Sequence, residues 1–349
     1  MEVKKEQIGE IDRNPVYAFT LKNDHGVEIT CINYGCIITK MITPDKQGNF
    51  ENIVLGYDTL EEYMMDSTYL GAVIGRVGGR IKDAQFELDG EIYTLSKNEK
   101  DNHIHGGIKG FNRVIWDAEM LKKGDIAGVQ FKYFSPDGEE GYPGNLEVKV
   151  SYSLNNENEF VIRYDAMTDK KTPLSMTNHS YFNLSGNLRR DILDHTLKLK
   201  SEKFLELDPA LIPTGEMLHV GNTPFDFTHE RSIKSGTVST HPQNVLVGEG
   251  YDHPFCLSNN HNEEIVLKDS ESGRTLIMET DEVGVIVYSG NSLRNEGNVR
   301  GVPMRKHLGI CLETQGLPNA VNQPAFPSII IDRGQKYNSV TKYRFGIDR

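Results

Sequence analysis

The chain has 349 residues, of which 37% are hydrophobic, so it is long enough to bury a large core. Its formal net charge is −12, and no run of basic residues occurs within it. Proteins that bind nucleic acid rely on clustered Lys and Arg, so we expect no nucleic-acid partner. No stretch approaches the roughly 20 apolar residues that a membrane-spanning helix needs, so we expect no membrane partner either.

The amino-terminal residues and the cysteines indicate the compartment. Residues 1–15 carry mixed charges and no apolar signal segment. Cys31, Cys36, Cys256 and Cys311 form no C-x-x-C pair and are sparse for a disulfide scaffold. We therefore predict buried free thiols in a cytoplasmic protein, where the environment is reducing.

The first predicted elements in chain order are one short helix over Thr59–Met65 and one hairpin. Asp89–Gly90 is typical of the two-residue turn that joins antiparallel strands. With that turn Phe86 lies opposite Tyr93, and the residues one step further out pair in the same way. Those outer residues are Ala84 and Leu95.

Strand patterning dominates the rest of the chain, because apolar residues gather at every second position. Such alternation is shown by Val129, Phe131 and Tyr133, by Leu146, Val148, Val150, Tyr152 and Leu154, and by Phe160, Ile162, Tyr164 and Ala166. No repeat, low-complexity tract or shift of composition marks a boundary. We expect residues 1–349 to form a single all-β domain of large, layered antiparallel sheets.

Two glycine-rich segments carry cationic or ionisable side chains. In residues 75–80, two arginines four positions apart flank small residues and could face a ligand; a surface turn explains them equally well alone. Residues 102–107 contain His103 and His105, and this spacing on a strand would point both imidazoles to one face, as in some metal sites. Because no further ligand follows nearby, we favour a hydrogen-bonding role for one of them.

Two segments combine an ionisable residue with aromatics. In residues 177–184, His179 lies among interleaved polar and aromatic residues, which suits a partly dry pocket or an ordinary strand edge. In residues 250–255, Asp252 lies between an aromatic residue and a proline, which also fits a simple turn.

The last segment, residues 310–316, places an acidic residue just after an apolar stretch. Ile310 and Leu312 point to one face of a strand, so Cys311, Glu313 and Gln315 point to the other. The glycine and proline that follow favour a strand end that faces a cleft.

Taken together, these segments resemble the aldose 1-epimerases, also called galactose mutarotases. The matching strings run in family order from about residue 75 to residue 323: GRVGGR, NHIHGG, EEGYPGNLEVKVSYSL, TNHSYFNLSG, LIPTGE, GYDHPF and LETQGLPNAVNQ. The resemblance implies a large antiparallel β-sandwich of the galactose mutarotase type with an open sugar-binding cleft on one sheet. It implies a small-molecule sugar substrate, interconversion of the α and β anomers of free aldoses such as glucose and galactose, and a place in hexose metabolism.

The resemblance also implies roles for individual residues. The proton donor falls on His179 and the base on Glu313. The sugar-binding positions fall on Gly79, on Arg80 rather than Arg76, on His105 rather than His103, and on Asp252. For His179 to act as an acid it should be protonated, and we expect nearby carboxylates to favour that form.

Two positions depart from the family pattern. Gly79 stands where many members have asparagine, and Ile286 stands where many have glutamine. Both changes remove polar side chains from the expected pocket. We therefore expect a roomier, less polar site that accepts glucose or other aldoses at least as well as galactose.

Three other functions are compatible with parts of the pattern. A glycoside hydrolase could pair Asp252 with Glu313 as its two carboxylates. A non-catalytic sugar-binding protein could use the same fold, and a cupin-like metal enzyme could use His103 and His105. The sequence has no phosphate-binding loop, dinucleotide fingerprint or convincing metal ligand set, so we predict neither cofactor nor metal.

Overall fold

The computed structural model describes residues 1–258, 260–295 and 297–348, and strands dominate it. The first ten strands in chain order are β1 (Glu2–Ile11), β2 (Asn14–Lys22), β3 (Glu28–Ile32), β4 (Ile38–Pro44), β5 (Phe50–Asn52), β6 (Val73–Ile74), β7 (Arg80–Ile81), β8 (Gln85–Leu88), β9 (Glu91–Thr94) and β10 (His103–Ile104). The next ten are β11 (Asp117–Lys123), β12 (Ile126–Ser135), β13 (Leu146–Asn155), β14 (Glu159–Thr168), β15 (Thr172–Pro173), β16 (Thr177–Asn178), β17 (Tyr181–Phe182), β18 (Thr196–Leu199), β19 (Lys203–Leu207) and β20 (Pro213–His219).

The remaining strands belong to the carboxy-terminal part of the chain. They are β21 (Arg231–Ser232), β22 (Asp252–Cys256), β23 (Ile265–Lys268), β24 (Arg274–Thr280), β25 (Gly284–Tyr288), β26 (Asn298–Val299), β27 (Val302–Pro303), β28 (Ile310–Gln315), β29 (Ile330–Ile331) and β30 (Lys336–Ile347). Short helices are α1 (Leu60–Met65), α2 (Lys234–Thr237) and α3 (Pro242–Leu246). Single 3-10 turns lie at Lys82–Ala84, Phe111–Arg113, Glu139–Gly141 and Ala320–Asn322.

Three large sheets organise the described residues. A nine-stranded sheet has the order β11-β12-β13-β14-β30-β24-β23-β18-β21, and a six-stranded sheet has the order β17-β28-β25-β22-β19-β20. Strands β1 to β5 form a meander in a third sheet. Neighbouring strands in all three run antiparallel, which confirms the predicted all-β antiparallel class.

Apolar side chains from the two largest sheets meet in one core. Val150 and Ile162 of the nine-stranded sheet belong to the same buried cluster as Val285, Val287 and Leu312 of the six-stranded sheet. The alternation predicted over residues 146–154 is confirmed, because every second side chain there is buried. Since the six-stranded sheet buries one face in this core, its other face is free to form a site.

Both local elements predicted from the sequence are present. Helix α1 has Thr59 as its amino-terminal cap: the Thr59 hydroxyl accepts from the Glu62 amide at 3.3 Å, and the Glu62 carboxylate accepts from the Thr59 amide at 2.9 Å. In the hairpin Phe86 pairs with Tyr93 as expected. Helices α2 and α3 are four and five residues long, too short to show a helical period in the sequence.

The cysteines are free, as predicted, and three of the four are buried. Among the described residues no helix is both long enough and apolar enough to cross a bilayer.

Two loops, one containing Gly75 and the other containing Gly106, approach each other closely. Gly106 has φ +84°, and a Cβ atom there would lie 1.8 Å from the carbonyl oxygen of Gly75. Gly90 has φ +83° with open space around it. We expect Gly106→Ala to lower the free energy of unfolding by about 3 kcal/mol or more, through backbone strain and overpacking together. Gly90→Ala, the matched control, should cost about 1 kcal/mol from backbone strain alone.

Urea denaturation of both variants measures the difference. Equal losses of stability in the two would contradict the close packing of these loops.

Candidate active site

The floor of the candidate site is the outward face of the six-stranded sheet. On β28 the side chains of Ile310 and Leu312 enter the core, so Cys311 and Glu313 face outward, as the sequence predicts. Across the neighbouring strands the register aligns two outward rows, Glu313–Ile286–Pro254 and Cys311–Tyr288–Asp252. Backbone pairing of β28, β25 and β22 therefore fixes the spacing of these side chains.

A cavity of about 220 Å³ lies above this floor. Every predicted site residue lines it, namely Gly79, Arg80, His105, His179, Asp252 and Glu313. Segments far apart in the chain thus meet at one place, as the resemblance implies.

His179 reaches the cavity from the connection between β16 and β17. Its amide donates to the Ala72 carbonyl at 2.9 Å, and its carbonyl accepts from the Gly71 amide at 3.0 Å. The Asn178 side-chain amide donates to the Gly71 carbonyl at 2.9 Å. Because the backbone is held on both sides, the ring has a fixed position, with Nε2 lying 3.6 Å from Glu313 Oε1.

Aromatic rings and a thiol surround His179. The ring centroids of Tyr69, Tyr181 and Tyr288 lie 5.8, 5.0 and 6.4 Å from that of His179. The Cys311 sulfur lies 3.5 Å from Nδ1. Tyr181 falls within the aromatic segment that the sequence singled out, whereas Tyr69 was missed because no local pattern connects residue 69 with residue 179.

Arg80 also lines the cavity and carries two acidic neighbours. Its Nε and Nη2 atoms donate to the Glu99 carboxylate at 2.7 and 2.8 Å. Its Nη1 atom lies 3.8 Å from Asp252 Oδ2. Burial disfavours the charge of Arg80, but Asp252 and Glu99 outweigh burial and raise its pKa. Glu99 was not among the predicted site residues because nothing in its local sequence distinguishes it.

Arg76 has a structural role, which supports the choice of Arg80 as the binding arginine. It is only 2% exposed. Its guanidinium donates to the Ser135 hydroxyl at 2.9 Å and to the carbonyls of Pro143 and Gly144, both at 2.9 Å. All of these partners lie away from the cavity lining.

The two neighbouring histidines do not share a face, so the paired arrangement that a regular strand would give them is not formed. His105 has φ +52°, outside the strand region, and its ring turns into the cavity. His103 lies on β10 and is fully buried, with Nδ1 2.7 Å from the Ser96 carbonyl and Nε2 2.8 Å from the Tyr142 hydroxyl. This arrangement excludes the cupin-like pairing of His103 with His105.

Three possible metal ligands do converge at the site. One ligand atom from each of His105, His179 and Glu313 lies within 4.8 Å of the others. However, Nδ1 of His105 accepts a hydrogen bond from the Gly79 amide at 3.2 Å. A neutral imidazole whose Nδ1 accepts must carry its proton on Nε2, so neither nitrogen is free to bind a cation. The remaining pair falls short of the three protein ligands usual for catalytic zinc, so the donor set does not fit a metal.

The electrostatic expectation for His179 needs correction. Burial lowers the pKa of His179 to about 4, rather than carboxylates raising it. Burial also raises the pKa of Glu313, an effect to which Asp252 adds and which Arg80 opposes. Both groups are displaced towards their neutral forms because a dry cavity disfavours charge. Between the lowered pKa of His179 and the raised pKa of Glu313 the pair therefore holds one proton between them.

The two departures from the family pattern differ in their consequences. Ile286 lies in the cavity floor between Pro254 and Glu313 and makes that part of the floor apolar, as expected. At Gly79, with φ +75°, a Cβ atom would lie 2.9 Å from the Pro318 ring. Pro318 already fills the space beside Gly79, so the site is less polar there but not roomier, and that part of the expectation was wrong.

Comparison with known proteins places this geometry in a family. Residues 17–344 match the family model for aldose 1-epimerase. Over 337 residues the chain is 41% identical to galactose mutarotase of Bos taurus, covering 95% of this chain and 94% of the relative. It is 30% identical to maltose epimerase of Levilactobacillus brevis, covering 99% of each.

A solved structure agrees with the sequence relatives. The crystal structure of galactose 1-epimerase from Lactobacillus acidophilus NCFM superposes with a TM-score of 0.90 at 30% identity, covering 100% of this chain and 99% of that one. The fold, the cavity and the sequence relatives agree, and the chain belongs to the aldose 1-epimerase family.

Proposed function

We propose that Glu313 and His179 are the base and the acid with which this aldose 1-epimerase interconverts sugar anomers. The observation that carries the proposal is their position. Glu313 Oε1 lies 3.6 Å from His179 Nε2, and both groups line a cavity of about 220 Å³. A carboxylate beside an imidazole can move two protons on one sugar without a cofactor.

The reaction balances with these two groups alone. The Glu313 carboxylate removes the proton from the C1 hydroxyl, the bond between C1 and the ring oxygen breaks, and the His179 imidazolium gives its proton to that oxygen. Rotation about the C1–C2 bond then presents the other face of the aldehyde. On closure the ring oxygen returns its proton to His179 as it attacks C1, and Glu313 returns the other proton to the C1 oxygen. Both side chains finish as they began.

The single proton that Glu313 and His179 share determines which protonation state reacts. Imidazolium with carboxylate and neutral imidazole with carboxylic acid contain the same number of protons. Substrate hydroxyls placed between the two groups can solvate the charged form. Removal of one proton from the pair abolishes the acid, and addition of one abolishes the base.

Three further residues orient the sugar in this proposal. His105 offers Nε2–H as a donor, because its Nδ1 is occupied by the Gly79 amide. Arg80 can donate to ring or neighbouring oxygens where negative charge develops. Asp252 can accept from a sugar hydroxyl. These groups act by orientation, which sets sugar preference and alignment.

We propose free aldoses, including glucose and galactose, as the substrates. Neither Gly79 nor Ile286 offers a polar side-chain atom that could select one C4 epimer. The protein would then act in the cytoplasm as one domain that supplies anomers to hexose-consuming reactions.

A second candidate substrate is a reducing disaccharide. In a pyranose, C4 lies across the ring from C1, so a sugar held by C1 at the floor directs C4 towards the mouth. A neighbouring cleft shares Leu211, Ser292 and Leu293 with the cavity and continues to Val247 and Lys306. One relative, at 30% identity, is a maltose epimerase. A second glucose unit on O4 could occupy this cleft.

Family membership also weighs against the two rival functions that remain. A glycoside hydrolase would use Asp252 as a second carboxylate, but Asp252 lies 3.8 Å from Arg80, which suits it to binding. A sugar-binding protein without activity would not require an acid–base pair, and this pair is intact.

The first prediction concerns catalysis. We expect Glu313→Gln and His179→Asn each to lower kcat about 10²- to 10⁴-fold, because each removes one proton-transfer group. Polarimetry of freshly dissolved α-glucose, corrected for spontaneous mutarotation, measures the change. Exposed Glu263→Gln and His229→Asn are controls of the same chemistry and should retain wild-type rates. Wild-type activity in either site variant would refute its assigned role.

The second prediction concerns pH. As pH falls through about 4, His179 becomes protonated while Glu313 already holds its proton, so the base is lost and kcat/KM declines. As pH rises through the raised pKa of Glu313, the pair loses its last proton and kcat/KM declines again. The rate constant should therefore be flat between these limbs. A decline already on acidification from pH 7 to pH 6 would contradict this reading.

The third prediction concerns selectivity. We expect wild-type kcat/KM for α-glucose and α-galactose to agree within about tenfold, and α-maltose also to be accepted. Ile286→Gln should change the ratio of kcat/KM for glucose to kcat/KM for galactose by about tenfold or more. Ile286→Leu, which keeps the floor apolar, should leave this ratio unchanged. NMR of the anomeric protons measures all three sugars. An unchanged ratio in Ile286→Gln would show that this part of the floor does not determine sugar selectivity.

A further inference from the structure

Glu99 is a charged residue of the cavity that the mechanism above does not use. It lies in the loop between β9 and β10, which hydrogen-bonds to itself. The Glu99 and Asn102 backbones exchange two bonds, at 3.2 and 3.0 Å. The Asn98 side chain bonds both the carbonyl and the amide of Ile104, at 2.9 and 2.8 Å. This loop therefore presents the Glu99 carboxylate from a fixed backbone.

The contact between Glu99 and Arg80 is bidentate. Both carboxylate oxygens accept, from Nε at 2.7 Å and from Nη2 at 2.8 Å. Two parallel bonds of this kind fix the guanidinium plane as well as its position. The Arg80 side chain is 16% exposed and that of Glu99 is 32% exposed, so the contact is partly shielded from water. Nη1 remains directed at Asp252 Oδ2, 3.8 Å away.

We propose that Glu99 is a positioning residue for the sugar: it holds Arg80 in the orientation that leaves Nη1 for substrate and offsets the charge of Arg80 at Glu313. The inference rests on the proposed roles of Arg80 and Glu313. Without Glu99 the guanidinium could turn away from the sugar or pair fully with Asp252. Either movement would remove a donor or an acceptor from the sugar.

The electrostatic half of the proposal depends on the groups around Glu313. The titratable and charged groups that line its cavity or adjoin it are Tyr69, Arg80, Glu99, His105, His179, Tyr181, Asp252, Tyr288 and Cys311. Among them Arg80 lowers the pKa of Glu313 and Asp252 raises it. Removal of the negative charge of Glu99 leaves the field of Arg80 less compensated, so the pKa of Glu313 should fall and its strength as a base with it.

Two substitutions separate geometry from charge. Glu99→Gln keeps the shape but removes the charge and one of the two acceptors. Glu99→Asp keeps the charge and is too short for the bidentate contact, so the charge is lost only in Glu99→Gln. Glu263→Gln changes the net charge equally at an exposed ion pair with Arg344, outside the cavity lining, and is the control. Initial rates on α-glucose from pH 4 to pH 10 give kcat, KM and both limbs of the profile.

We expect kcat/KM to fall about 10- to 100-fold in Glu99→Gln, the range for charge-assisted hydrogen bonds, with KM raised more than kcat is lowered. The alkaline limb should move to lower pH in Glu99→Gln and stay in place in Glu99→Asp, which should raise KM alone. Glu263→Gln should match wild type. If Glu99 had a purely structural role, its substitution by Gln would lower activity but would not shift the alkaline limb to lower pH.

Wild-type KM and an unmoved limb in Glu99→Gln would overturn the proposal. If Glu99→Gln fails to fold, an unchanged KM in Glu99→Asp would overturn it instead. Wild type that leaves α-glucose at its spontaneous rate would overturn the epimerase activity itself. In that event the Kd of glucose for wild type and Glu99→Asp, from NMR line broadening, still decides the role of Glu99: equal values would sink it.

Discussion

Hydrophobic burial on one face of the six-stranded sheet determines where every polar group on its other face lies. Ile310 and Leu312 must enter the core, and the pleat then turns Glu313 into the cavity. The same alternation on β22 and β25 places Asp252 and Ile286 beside it. A slip of one residue would exchange the two faces, burying a carboxylate in the core at prohibitive cost. The packing that stabilises the fold thus also fixes the distances within the site.

The dry cavity that results governs the protonation of the site. Burial moves Glu313 and His179 towards neutrality, so the pair stores one proton instead of two charges. One cation, Arg80, remains ionised because Glu99 and Asp252 flank it. We infer that charge in this cavity belongs chiefly to the residues proposed to bind the sugar, and that the proposed proton-transfer pair becomes charged chiefly when substrate lies between its two members.

Local patterns predicted the features that local interactions produce. Helix α1 and the pairing of Phe86 with Tyr93 depend on neighbours in sequence, and both are present as predicted. The order of strands in the sheets depends on contacts between distant segments, which alternation alone does not specify. The family resemblance implied that architecture and identified the six candidate residues, all of which line one cavity in the structure.

The errors and omissions also have physical causes. The sequence did not reveal that His103 and His105 face different ways, because His105 adopts a left-handed backbone that no sequence pattern indicates. The protonation of His179 was misjudged because counting nearby carboxylates ignores burial. Glu99 and Cys311 were missed as partners because they act on residues 19 and 132 positions away.

The contact between Gly79 and Pro318 has an evolutionary consequence. A Cβ atom at residue 79 would lie 2.9 Å from the proline ring, so a side chain there requires the ring or its backbone to shift. The effect of a substitution at one position therefore depends on the residue at the other, which is epistasis with a steric origin.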